Sequence, residues 1–179
     1  MEGSPAKQSA RSHPSFGFND FVEQNFTSAY RFAFCLSLAH DRAARIVEAT
    51  FDEAKALQET EATVDKSWVL ERLHQKWRAC HPARFDPESD ENGAAKGPLI
   101  RIEDAASMDC DAVLKILHSM SPAHRLVLSL FYFEQLGSNA IGRILELPPA
   151  TVVSRLAQAK VLLRQLLEQT RQAPSVASA

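Results

Sequence analysis

Apolar residues recur at intervals of three and four along most of this chain, a period that admits helices and little else. Phe18, Phe21, Val22, Phe26, Ala29, Tyr30, Ala33, Phe34 and Leu36 form a first stripe. His40-Asp41 interrupts it, and Asp41 offers an N-cap for a second helix carrying Ala43, Ile46, Val47, Thr50, Phe51, Ala54 and Leu57. A third helix runs from about Val64, with Trp68, Val69, Leu70, Leu73 and Trp77 on its apolar face. His81-Pro82 ends it, because proline cannot continue the hydrogen-bond ladder. No segment shows the strict alternation of a half-buried strand.

Residues 82–107 break the pattern. Pro87, Gly93, Gly97 and Pro98 sit among dense acid, with Asp86-Pro87-Glu88-Ser89-Asp90-Glu91-Asn92-Gly93 at its centre. That composition reads as a linker. Helical structure resumes near Asp109, with Val113, Leu114, Ile116 and Leu117. Ser121-Pro122 then supplies an N-cap and a first-turn proline for a helix bearing Leu126, Val127, Leu128, Leu130, Phe131 and Phe133. Gly137 stops that helix. Ser138 caps a short one with Ile141, Ile144 and Leu145, Pro148-Pro149 breaks again, and a last helix from near Thr151 carries Val152, Val153, Leu156, Ala159, Leu162, Leu163, Leu166 and Leu167. The expected fold is all-α: two small helical domains over 16–81 and 108–171, an acidic linker over 82–107, a disordered leader over 1–15 and a disordered tail over 172–179. Few apolar residues in the linker are available to join the cores, so the two halves are expected to pack separately.

Hydrophobic residues make up 45% and charged residues 23% of the 179, ordinary globular usage. No apolar run approaches the roughly 18 residues of a membrane span. The first fifteen residues lack the apolar core of a secretion signal, which points to a cytoplasmic location. Three widely spaced cysteines, Cys35, Cys80 and Cys110, form neither a disulfide framework nor a zinc-like pair, so no metal or other cofactor is expected. Nucleotide-binding glycine loops, zinc-protease motifs and nucleophile elbows are absent, and no enzyme is expected. The net charge of −2 conceals an asymmetry: residues 16–80 carry −2, 81–107 carry −3 and 108–171 carry +2. The C-terminal segment alone among the folded parts has the cationic balance that suits nucleic acid.

Within that segment, a short helix ending at Leu145-Glu146-Leu147, a turn through Pro148-Pro149-Ala150 and a longer amphipathic helix have the form of a helix-turn-helix. In such a unit the second helix lays its N-terminal residues in the major groove. Thr151, Ser154, Arg155 and Gln158 fall at spacings of three and four, with Lys160 and Arg164 further along. Arginine reads guanine bidentately, glutamine reads adenine, and serine and threonine bond phosphates or bases.

The stretch from Leu117 through Ser121-Pro122-Ala123-His124-Arg125-Leu126-Val127-Leu128, then Phe133-Glu134-Gln135-Leu136, then Ile141 to Lys160, resembles the fourth conserved region of extracytoplasmic-function sigma factors. Thr151-Val152-Val153-Ser154-Arg155-Leu156 matches the opening of that family's recognition helix in register. The N-terminal half is similar to the family's second region, through Phe21, Tyr30-Arg31-Phe32-Ala33, Glu48-Ala49-Thr50-Phe51 and Trp68. The resemblance implies a promoter-specificity subunit of bacterial RNA polymerase. Core polymerase would be contacted through Arg45, Val47, Glu48, Phe51 and Asp52, with Arg45 standing where the family carries acid. Trp68, Arg72 and Lys76 would help melt the promoter, and the last helix would read the distal promoter element as duplex. Core RNA polymerase and promoter DNA are the implied partners, with an anti-sigma factor as a further one. The alternative is a sigma-like regulatory protein that keeps the fold and acts through protein partners, without productive promoter recognition.

Overall fold

The computed structural model describes residues 17–60, 63–81 and 116–172, with side chains through residue 169. Six helices organise these residues: α1 (Phe18–Ser37), α2 (His40–Gln58), α3 (Lys66–Cys80), α4 (Pro122–Tyr132), α5 (Ser138–Leu145) and α6 (Pro149–Gln172). A single helical turn at 116–119 precedes α4, and no strand occurs among the described residues. The expected all-α class is what the chain adopts. The leader and linker lie outside the described residues, and α6 extends one residue into the segment read as a tail.

Local chemistry fixes most of the helix ends. Gly17 donates its amide to Asp20 Oδ2 at 3.0 Å, closing the first turn of α1. Asp65 caps α3 by accepting the Trp68 amide at 2.8 Å. Ser121 caps α4 as its sequence suggests, accepting the His124 amide, with Pro122 at the first helical position. Two caps differ from expectation. Ala39 precedes α2, so Asp41 lies inside its first turn, where its charge suits the helix dipole. Gly137 precedes α5, so Ser138 is its first residue. The last helix begins at Pro149 rather than near Thr151, because a proline fits a first turn whose amides have no helical acceptor.

The helices of the first half pack around Phe32, Leu36, Val47, Leu70, Leu73 and Trp77; those of the second pack around Leu126, Leu130, Ile141, Ile144, Val152 and Ala159. These sets are not separate. Buried side chains of both halves form one continuous cluster, which corrects the expectation of independently packed units. The reason lies in α4, where Arg125, Leu126, Val127, Leu128, Ser129 and Leu130 are all buried. Six consecutive buried positions sweep the full circumference of a helix, so α4 needs cover on every side. It packs against α6 and α5 within its own half and against α1 of the other, while α5 also packs against α3.

Candidate nucleic-acid interface

The segment read from the sequence as a helix-turn-helix comprises α5, the turn at Glu146–Pro148, and α6. Glu146 closes α5 in the left-handed conformation, with φ 56° and ψ 44°. The Leu147 amide returns to the Gly142 carbonyl at 2.8 Å. The close crossing requires a glycine at 142, since a Cβ there would stand 2.6 Å from the Leu147 carbonyl oxygen. The turn thus falls at Glu146–Pro148 and not through Pro148-Pro149-Ala150 as the sequence suggested, because Pro149 and Ala150 open the last helix.

The side chains assigned to DNA are disposed unequally. Val153 and Ser154 are exposed on the first turns of α6, Val153 at 56%, whereas Arg155 is 9% exposed. Gln158 Oε1 lies 3.3 Å from Nε2 of His124 on α4. Lys160 sets its ammonium 4.2 Å from the centre of the Phe131 ring and 5.9 Å from that of Tyr132, and burial there lowers its pKa. Thr151 and Arg164 are half-buried. Of the six residues assigned to promoter reading, Ser154 alone is fully presented, while Arg155 is buried and Gln158 and Lys160 turn toward α4. The helical spacing put all six on a shared surface; the packing of α6 against α4 divides them.

On α2, Arg45, Glu48 and Asp52 occupy one exposed face. Val47 and Phe51, read from the sequence as polymerase contacts, point instead into the core at 2% and 7% exposure. Both belong to the apolar stripe of α2, and burial of that stripe against α1 and α3 takes them from the surface.

The cations of α3 are bound to carboxylates. Arg72 reaches Glu53 of α2 at 2.5 Å and Lys76 reaches the same carboxylate at 2.9 Å, with the Arg72 guanidinium 5.5 Å from the centre of the Trp68 ring. Arg78 pairs with Glu146, and Lys66 pairs with Glu134. Trp68, Arg72 and Lys76, expected at the melting surface, are thus brought together in one group at α3.

Residues that the sequence reading did not single out form the seam between the halves. Glu134, with a side chain 1% exposed, accepts from Ser28 Oγ at 2.6 Å, from Arg31 at 3.1 Å and from Lys66. Burial by itself would raise the Glu134 pKa. The hydrogen bonds from Lys66 and Ser28 and the charges of Lys66 and Arg31 outweigh it and hold the carboxyl below its ordinary value. Arg125 Nε donates to the Cys35 carbonyl at 2.5 Å, and its Nη1 donates to the carbonyls of Leu117 and Met120, each at 3.0 Å. His74 is buried between α3 and α5 and bonds the Ile144 backbone. Burial, with the nearby Arg78 charge, lowers its pKa to about 4. A charged residue inside an apolar run, such as Arg125 in Pro122–Tyr132, was the one sequence signal available for this seam.

Among the described residues, no group of three histidine, cysteine, aspartate or glutamate side chains is placed to hold a metal ion. No described helix is long and apolar enough to cross a membrane.

No family model matches the sequence, and no curated protein matches it. Solved structures do share the fold. One is the sigma factor RpoE in complex with the anti-sigma factor NepR from Bartonella quintana, at a TM-score of 0.65 and 21% identity, over 84% of this chain and 96% of that one. The chain has a sigma factor-like fold, and the likeness spans both halves.

Proposed function

We propose that this chain is a sigma factor-like subunit that binds core RNA polymerase and directs transcription initiation from promoter DNA. One observation carries the reading: a short helix, turn and long helix, and a three-helix unit with a basic, tryptophan-bearing helix, occur together in a fold shared with a sigma factor. The exposed face of Arg45, Glu48 and Asp52 is the candidate polymerase contact. The group of Trp68, Arg72 and Lys76 is the candidate melting surface, and the exposed start of α6 the candidate reader of duplex. Residues 16–81 and 108–171 serve as its two functional domains, joined by 82–107. Such a subunit acts in the cytoplasm and has no catalytic site of its own. The RpoE structure contains an anti-sigma factor, and a partner of that kind is proposed for this chain too.

A second reading is favoured by the neutral character of the presented part of α6. Val153 and Ser154 face outward, while the nearest cations, Arg155 and Lys160, are engaged within the body. Each phosphate contact missing from a DNA reader weakens binding and flattens its salt dependence. On this reading the chain regulates transcription through protein partners. The deciding experiment mixes the purified chain with core RNA polymerase and a promoter library. Co-elution with core and specific transcripts are expected. Loss of both, alongside retained binding to an anti-sigma protein, would favour the second reading.

A further inference from the structure

Arg72 and Lys76, the two cations of the Trp68 group, share one carboxylate. Glu53 of α2 accepts from Arg72 Nη2 through Oε1 at 2.5 Å and from Lys76 Nζ through Oε2 at 2.9 Å. The two cations lie one helical turn apart, so a single acid on the neighbouring helix can span both. Gln75 holds the other end of the fork, accepting from Arg72 Nη1 at 3.0 Å. The guanidinium is left over the Trp68 ring, its carbon 5.5 Å from the ring centre.

Two details indicate that Arg72 is held in this place rather than resting there. Its Nε is buried without a hydrogen-bond partner, a cost that the contacts of the two Nη groups offset. Trp68 is itself packed against the core, which fixes the surface beneath the guanidinium. An arginine on a flexible stem ordinarily samples many rotamers. Here both Nη groups are engaged and one face covers Trp68, while the side chain remains 37% exposed. A planar guanidinium held in this way can take an unpaired base on its outer face, as an aromatic ring does. The charges act in the same direction. One carboxylate between two cations leaves a single positive charge beside that face, enough for one phosphate.

We propose that Glu53 is a positioning residue for single-stranded DNA. It fixes the Arg72 guanidinium as a shelf on Trp68, one unpaired base stacks against that shelf, and the charge left on the Arg72–Lys76 pair meets the adjoining phosphate. Glu53 itself touches no DNA. It orders Arg72 before the strand arrives, so that stacking does not cost the rotamer freedom of a long side chain. This inference rests on the proposed role of α3 in melting the promoter.

The test uses the full chain, with oligodeoxythymidine and an abasic oligomer of equal length as probes. Wild type should prefer the thymidine strand by about tenfold, within the range for one stacked base. Glu53→Gln keeps the size and one acceptor oxygen but loses the charge. It should reduce the preference to about twofold and steepen the salt dependence by about 0.7, one further phosphate contact on a single strand. Arg72→Lys keeps the charge and lacks the plane, so it should lose the preference with the salt slope unchanged. Acrylamide quenching reads the shelf without DNA. Of the two tryptophans Trp77 is buried, so quenching reports on Trp68, and it should rise in Glu53→Gln as in Arg72→Ala. A Glu53→Gln variant that keeps the tenfold preference overturns the proposal, as does equal binding of both probes by wild type. Lower stability with unchanged quenching also overturns it, because Glu53 would then only staple α2 to α3. Transcription with core polymerase is measured separately: its absence in wild type would count against the sigma reading and leave base preference and quenching to judge the shelf.

Discussion

The Arg125 guanidinium, on the central helix α4, donates to the main-chain carbonyl of Cys35 at the end of α1, 2.5 Å away across the seam between the halves. Cys35 lies 90 residues earlier in the chain, and the same guanidinium also takes the carbonyls of Leu117 and Met120. It holds the entry to α4 and the first half in one fork. Replacing Arg125 with alanine leaves three carbonyls without this donor and a cavity beside them, an expected loss on the order of 3–5 kcal/mol. Lysine should recover only part of it, because a single ammonium cannot reproduce the planar fork. Urea denaturation of wild type and both variants measures the difference.

His74 makes the seam sensitive to acid. Its folded pKa of about 4 lies below its ordinary 6.5, so the folded chain resists a proton that the unfolded chain accepts. The stability that follows is complete above about pH 6.5 and is lost as pH falls toward 4, by about 2 kcal/mol at pH 5. His74→Gln, which cannot titrate, should flatten the urea midpoint between pH 6.5 and 5. A variant with the same slope as wild type would place the titration elsewhere. Glu134, also depressed, withdraws its contribution in the same direction, but only as pH falls below the ordinary carboxylate range.

Gly142 separates local from tertiary preference. In the middle of a helix, glycine to alanine ordinarily stabilises by up to about 1 kcal/mol. Here the added Cβ would stand 2.6 Å from the Leu147 carbonyl oxygen, and the obstacle is backbone. Gly142→Ala should therefore destabilise the chain by about 1–3 kcal/mol, the usual range for overpacking. Thermal unfolding gives the sign directly.

Arg155 and Lys160 carry an expectation that burial changes. If they served chiefly as DNA contacts, alanine there would weaken binding and leave stability intact. Arg155 is 9% exposed and Lys160 covers Phe131, so both substitutions should lower stability by about 1–2 kcal/mol. Ser154→Ala, at an exposed site, should leave stability within about 0.5 kcal/mol of wild type. Denaturation and duplex binding measured on the same three variants distinguish packing from contact.

The exposed face of α2 carries Arg45 between acids, with Glu48 and Asp52 on successive turns. If it meets basic residues of core polymerase, Arg45→Asp should tighten the complex, most at low ionic strength, where exposed charges are least screened. Titration of core enzyme at two salt concentrations reads the effect. Weaker binding by the variant would remove α2 from the polymerase interface.

The sequence by itself determined the helices, some of their ends and the succession of short helix, turn and long helix at α5 and α6. Those features depend on neighbours within four residues: the stripe of α1, Ser121-Pro122 before α4, and the short helix and proline turn before α6. It also carried the resemblance through which the sigma-like fold was legible. Its site assignments were less complete, because helical spacing shows which residues share a face but not what covers that face. Val47 and Phe51 went to the core, Arg155 is buried, and Lys160 went to the rings of α4. Only the tertiary structure decided that the halves dock, through Arg125 with Cys35, Glu134 with Ser28, Arg31 and Lys66, and Glu146 with Arg78. These partners stand 68 to 106 residues apart where each bond spans the seam. No local period records a pairing over that distance; it arises because α4, buried around its circumference, can be covered only when α1 closes over the side its own half leaves bare.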